Sequence, residues 1–266
     1  MVDKIYFHDF YQNVWHGPVQ PTDRREKNWL VDRSSAKAYT DTFSPLLHIP
    51  TFVDLRTQEL GGNRPLTLDI MADTTALFGF QLPGVALRLK DIRSERDKID
   101  DDDNGRFLIT GDVRNSDTWT RLQRIRKEKW PEKSGFDFIM CRGIAGMDCL
   151  TTNPNVHFYL LQEAYWLLST GGVIITQIPE SSKYLANEWV LFINRHYRKS
   201  LEAKVARGLN LGHIDESQIL GLIKHEGAPL SLPTCFSIRD IEGYDFSESF
   251  LNQLDRHVPG LFKKNE

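Results

Sequence analysis

A chain of 266 residues with 33 Lys and Arg against 36 Asp and Glu carries a net charge of −3, and 40% of it is hydrophobic. That mix suits one α/β core with terminal additions and excludes a fibrous or largely disordered chain. The acidic balance argues against a nucleic-acid-coating protein, and Cys141, Cys149 and Cys235 form neither a disulfide framework nor a CxxC zinc pair.

From the N-terminus, Met1 to Gln12 mixes Asp3, Lys4, His8 and Asp9 among its apolar residues, so no signal-peptide core is formed. No later run stays apolar long enough to span a bilayer, and a cytoplasmic protein without membrane contact is expected. Residues 1–65 hold Tyr6, Phe7, Phe10, Tyr11, Trp15, Trp29, Tyr39 and Phe43, interrupted by Pro18, Pro21, Pro45 and Pro50. Such a segment suits short helices and loops packed on a larger body.

From Pro65 onward short apolar runs alternate with segments of helical period, the pattern of βαβ units. Strands are expected at Leu66 to Ala72, Val85 to Lys90, Arg106 to Gly111, Phe136 to Cys141 and Gly172 to Ile178. FDFIMC and GVIITQI are almost continuously apolar, as strands covered on both faces are. Asn155 to Ser169 places apolar residues at helical intervals and should stop at Gly171-Gly172. Trp119, Leu122 and Ile125 mark a helix before Pro131, and Tyr184 to Tyr197 marks another. Gln218 to Lys224 and Thr234 to Ile238, separated by Gly227, Pro229 and Pro233, are expected to pair as a closing hairpin. A short helix is expected to end the chain.

The chemistry-bearing segments sit at the exits of these strands. Strand one leads into Asp69-Ile70-Met71-Ala72-Asp73-Thr74-Thr75, strand two ends at Asp91, 22 residues beyond Asp69, and strand three runs into Thr110-Gly111-Asp112-Val113. Strand four exits through Cys141-Arg142-Gly143-Ile144, and Gly171-Gly172 precedes strand five. An acid at the end of strand two suits ribose hydroxyls, and it also suits a simple turn.

In this order the segments resemble the class I S-adenosylmethionine-dependent methyltransferase superfamily, from about Pro65 to about Ile238. The family's first motif has the form D-x-G-x-G-x-G; here the spacing survives and Met71, Asp73 and Thr75 stand where the glycines would be. Those glycines let the chain turn sharply and bring its backbone against the cofactor without Cβ atoms in the way. Met71 and Thr75 add bulk, and Asp73 sets a carboxylate near the place of the cofactor's own, where like charges repel by about 1 kcal/mol in water and more when partly buried. The third segment resembles the family's adenine-edge motif. The fourth resembles that of small-molecule and O-directed enzymes, without the N/D-P-P-Y/F tetrad of amino-group methylating ones.

The resemblance implies an α/β, Rossmann-like, mostly parallel seven-stranded sheet with helices on both faces and an N-terminal helical or loop extension. It divides the chain into an extension or lid over 1–65, a methyltransferase-like domain over 66–240 and a helical tail over 241–266. S-adenosylmethionine is the implied cofactor, held by Asp69, Met71, Asp73, Thr75, Asp91, Gly111, Asp112, Val113, Cys141 and Arg142. The implied partner is a small-molecule or protein methyl acceptor.

Other clusters have plainer readings. Arg121, Arg124, Arg126, Lys127 and Lys129, near Trp119 and Trp130, either grip phosphates or form a solvated helix face, and the acidic net charge favours the face. Asp100 to Asp103 lacks the Gly and terminal Glu of a calcium loop and reads as a solvated linker. The histidines form no HExxH or His-x-His pair, so no metal site is expected. His8 and His16 belong to aromatic packing or, in a lid, to general-base chemistry. No catalytic residue is assigned, because methyl transfer rests largely on positioning. Two functions follow: a methyltransferase of unspecified acceptor, or a non-catalytic member of the fold that binds or regulates another protein. A nicotinamide-dependent dehydrogenase would need G-x-G-x-x-G after strand one, and none is there.

Overall fold

The computed structural model describes residues 36–71, 74–88, 91, 93–111, 113, 116–141, 154–178, 183–197, 199–207 and 218–233. In chain order the elements are α1 (Ala36–Phe43), α2 (Ile49–Glu59), β1 (Thr67–Ile70), α3 (Thr75–Gly79), β2 (Gly84–Arg88), α4 (Glu95–Asp103) and β3 (Arg106–Thr110). There follow α5 (Ser116–Lys129), β4 (Phe136–Cys141), α6 (Pro154–Leu167), β5 (Leu168–Ile178), α7 (Lys183–His196), β6 (Leu201–Arg207) and β7 (Gln218–Lys224). The strands form one sheet in the order β3-β2-β1-β4-β5-β7-β6.

Strands β1 to β5 pair in parallel. β7 runs antiparallel to both β5 and β6, so the sheet is mixed rather than mostly parallel as expected. The physical reason is the short route from β6 to β7, which permits a hairpin and not a crossover. The expected hairpin between Gln218–Lys224 and residues 234–238 is also corrected. β7 already has β5 on one edge and β6 on the other, and residues 234–238 lie outside the described residues.

Alternation along the strands divides the core into two faces. Leu68 and Ile70, Val85 and Leu87, Ile139 and Cys141 point to one face, where Trp119 and Leu122 of α5, Leu160 and Leu161 of α6 and Trp189 and Phe192 of α7 cover them. Ala86, Phe138, Met140, Val173 and Ile175 point to the other, under Tyr39 and Phe43 of α1, Ile49 and Val53 of α2 and Ala76 and Leu77 of α3. Helices therefore cover both faces. Residues 36–59 supply most of the cover of the second face, and α3 adds the rest.

Local departures from the expected elements have local causes. β5 starts at Leu168, because α6 ends at Leu167 and the glycine pair lies inside the strand. Gly171 has φ +75, and a Cβ there would sit 2.5 Å from Arg56 Nη1, so the glycine makes a bulge that admits the Arg56 guanidinium. Pairing of β4 with β5 shifts register at this point. The carboxyl end of α6 is met by Lys224, whose Nζ donates to the carbonyls of Leu168 at 3.0 Å and Tyr165 at 3.4 Å; burial holds its pKa below the ordinary lysine value.

The acidic run expected as a solvated linker is instead the end of helix α4. Ser94 and Asp97 form a reciprocal capping box that starts it, and Asp101 is buried, held by Arg93 at 2.7 Å and Arg106 at 3.4 Å. The basic cluster lies on α5, whose Asp117 stands in the first turn and Arg126, Lys127 and Lys129 in the last, matching the helix dipole. Its residues are less uniformly solvated than expected. Arg126 is buried and donates to the Lys133 carbonyl, while Lys129 Nζ sits 4.7 Å from the centre of the Phe107 ring.

Candidate cofactor-binding site

The strand order reverses between β1 and β4, since the chain leaves β1 toward β2 and β3 and then returns to the other side. In open α/β sheets the crevice outside the carboxyl ends of the strands at such a switch point is where ligands bind. The exits of β1, β2, β3 and β4 thus bring Met71, Asp91, Gly111 with Val113, and Cys141 to one edge of the sheet. Asp73, Asp112 and Arg142 lie outside the described residues.

At the exit of β1 the backbone of Met71 takes φ +64, the left-handed region. This is the first position of the altered glycine motif, so the tight turn persists in a residue with a Cβ, at a cost of about 1–2 kcal/mol. Met71 is half-buried against the core on the α5–α7 side. Thr75 is exposed at the start of α3. Asp69 is fully buried in β1, and the Tyr39 hydroxyl of α1 donates to its Oδ1 at 2.7 Å. Its carboxylate is part of the sheet's interior.

At the exit of β2, Asp91 accepts from Arg93 three times, from Nε, Nη2 and the backbone N–H, each at 3.0 Å. The backbone contact is an Asx turn, and the two side-chain contacts are a fork on a carboxylate. These bonds hold Asp91 below the ordinary carboxylate range. Arg93 is pulled down by burial and raised more by its two acidic partners, Asp91 and Asp101. Asp101 also accepts from Thr74 Oγ1 at 2.5 Å, and Arg106 lies over the Phe78 ring at 4.6 Å. Thr74 follows β1 and Asp91 follows β2, so one network ties the two loops together.

At the exit of β3, the Gly111 N–H donates to the Arg88 carbonyl at 2.8 Å. A Cβ on Gly111 would stand 2.7 Å from Thr118, so glycine lets α5 close against this turn. Val113 is buried, and its carbonyl accepts from Trp119 Nε1 at 2.8 Å. Cys141, at the exit of β4, is buried as well. No group of three or more His, Cys, Asp or Glu among the described residues is arranged to hold a metal ion. Sequence reasoning missed Tyr39, Arg93 and Asp101; the spacing of Arg93 two residues after Asp91 was the one local signal.

No family model and no curated protein sequence matches the chain. Solved structures similar to it include methyltransferases. One from Streptococcus mutans, described as a putative S-adenosylmethionine-dependent methyltransferase, is 12% identical over 64% of this chain and 47% of its own length, with a TM-score of 0.40. A methyltransferase of the mycinamycin biosynthetic pathway, in complex with Mg and SAH, is 15% identical over 80% of this chain and 53% of its own, at 0.39. An O-methyltransferase from Bacillus cereus in complex with SAH is 19% identical over 77% and 92%, at 0.40. The chain thus spans about half the length of the first two and most of the third.

Proposed function

We propose that the crevice at the carboxyl ends of β1 to β4 receives S-adenosylmethionine, and that the chain is a methyltransferase-fold protein acting on a small molecule or an exposed group of another protein. The observation that carries this reading is Met71, whose left-handed backbone preserves the turn of a cofactor loop at the switch point although the glycine is gone. Asp91 fits the ribose of the cofactor, provided the ligand hydroxyls exchange with the Arg93 fork.

Bound there, S-adenosylmethionine supplies an activated methyl group. This chain's contribution would be orientation: the β1 turn would set the approach, and Asp91 would accept hydrogen bonds from the ribose hydroxyls. Calorimetric titration of the full chain with S-adenosylmethionine and S-adenosylhomocysteine tests the reading. Micromolar binding is expected, weakened about tenfold by Asp91→Ala or Asp112→Ala. No binding to either ligand by the folded protein overturns it.

A second reading has its own observation. Asp69 is committed to Tyr39 in the sheet's interior and Asp91 to Arg93 at the β2 exit, so both acids already have partners within the chain. That arrangement favours a non-catalytic member of the fold that acts through a protein partner. Tighter S-adenosylhomocysteine binding in Arg93→Ala than in the wild type would separate a blocked cofactor site from an abandoned one.

A further inference from the structure

At the opposite end of the sheet, by the amino ends of β1, β2, β4 and β5, lies a cleft of about 580 Å³ that the cofactor reading does not use. This is within the size range of small-molecule sites. Its cations are Arg56, Arg64 and Lys133, its acids Glu132 and Asp137, and Trp130 forms part of the wall.

The groups divide into those already committed and those left available. Asp137 is buried and accepts from Arg56 Nη2 at 2.9 Å, Ser169 Oγ at 3.0 Å, the Leu66 N–H at 3.0 Å and Lys133 Nζ at 3.3 Å. Arg56 is spent on Asp137, on Glu59 at 2.8 Å and on the Thr170 carbonyl at 3.0 Å. Together they form a neutralised floor. Above it, the Lys133 ammonium has made one of the three bonds its protons allow. Arg64 is exposed and makes no ion pair with any described residue. Within the lining, the acids that oppose these two cations are Asp137, already shared among four donors, and the exposed Glu132. Trp130 is half-buried, meets Phe107 edge-to-face at 5.6 Å between ring centres, and lines the cleft.

We infer that this cleft binds a small phosphate monoester carrying a flat ring, with the phosphate between Arg64 and Lys133 and the ring against Trp130. Arginine forks and lysine ammonium groups both suit a phosphate dianion, and the indole offers a planar apolar surface. The site is separate from the carboxyl-end crevice, so it stands whether or not that crevice takes S-adenosylmethionine.

The test is calorimetry on the full chain with phenyl phosphate, inorganic phosphate and benzyl alcohol, each with and without S-adenosylhomocysteine. Phenyl phosphate should bind saturably and more tightly than inorganic phosphate, benzyl alcohol should not bind, and S-adenosylhomocysteine should displace nothing. Arg64→Ala should weaken phenyl phosphate about tenfold or more, and Arg64→Lys should recover part of that. Arg64 is exposed and has no ion pair among the described residues, so an unchanged unfolding midpoint will show that the variant is folded. Absence of saturable binding, binding that Arg64→Ala leaves intact, or displacement by S-adenosylhomocysteine would each overturn the site. Equal affinity for the two phosphates would remove Trp130 from it.

Discussion

Met71 holds a backbone conformation that favours glycine while burying part of an apolar side chain, and the two effects oppose each other in any substitution. Met71→Gly gives back about 1–2 kcal/mol of strain and loses a comparable amount of partial burial, so its unfolding midpoint should stay near the wild type. Met71→Val keeps the strain and adds a branched Cβ, and should unfold several degrees lower in a thermal melt. Asp137 lies deeper. Burial works against its charge, but the Leu66 N–H, Arg56 and the Lys133 charge outweigh burial and hold its pKa below the ordinary value. Its stabilisation is thus complete above the unfolded carboxylate value and is lost as pH falls through the depressed folded one. Asp137→Asn should cost about 3 kcal/mol at neutral pH by leaving Arg56 without its buried acid and only the exposed Glu59 as partner. The gap from wild type should narrow below about pH 4 in denaturant titrations. At this scale the sequence showed where the loop residues fall and not what they touch. Asp69 and Asp91 were legible from spacing, whereas Tyr39 is 30 residues away from its acid and Arg56 is 81 from Asp137, distances that no local pattern spans.

Among the elements, β6 and β7 explain most of what the sequence concealed. β7 was visible as an apolar run, but its partner β6, which alternates Leu201, Ala203 and Val205 with Glu202 and Lys204, is a short half-buried strand that the sequence alone left unassigned. Which run pairs with β7 is decided by sheet edges, not by the runs themselves. Beside β6, Asn194 of α7 donates to the Ala203 carbonyl at 2.7 Å and accepts from the Ala203 N–H at 3.0 Å. This side chain satisfies backbone groups that β7 does not reach. Asn194→Ala should therefore destabilise by about 1–3 kcal/mol, and amide exchange at Ala203 should speed up more than at strands β1 and β4. The α4 capping box is a smaller and more local case: Ser94→Ala should cost about 1 kcal/mol in the same denaturant assay.

On the scale of the molecule, the βαβ texture after Pro65 was enough to announce an α/β sheet, because continuous apolar strands need cover on both faces. The cover itself was harder to read, since the helices at Ala36–Phe43 and Ile49–Glu59 have short, Pro-flanked sequences and gain their place from packing on Ala86, Phe138 and Ile175. Removing residues 1–59 should therefore abolish cooperative unfolding, measured by near-UV circular dichroism, whereas a lid alone would leave the melt intact. β5 is the longest strand, 11 residues from Leu168 to Ile178, and runs from the cleft at the amino ends to the opposite edge of the sheet. The two candidate ligand sites consequently share no side chain, yet they share one folding equilibrium. Two ligands that bind only the native chain each add their own increment to its stability, about 2.7 kcal/mol at a hundred times the dissociation constant. Neither need alter the other's affinity for both to lengthen the life of the fold, so occupancy at one end of the sheet can preserve the protein for work at the other.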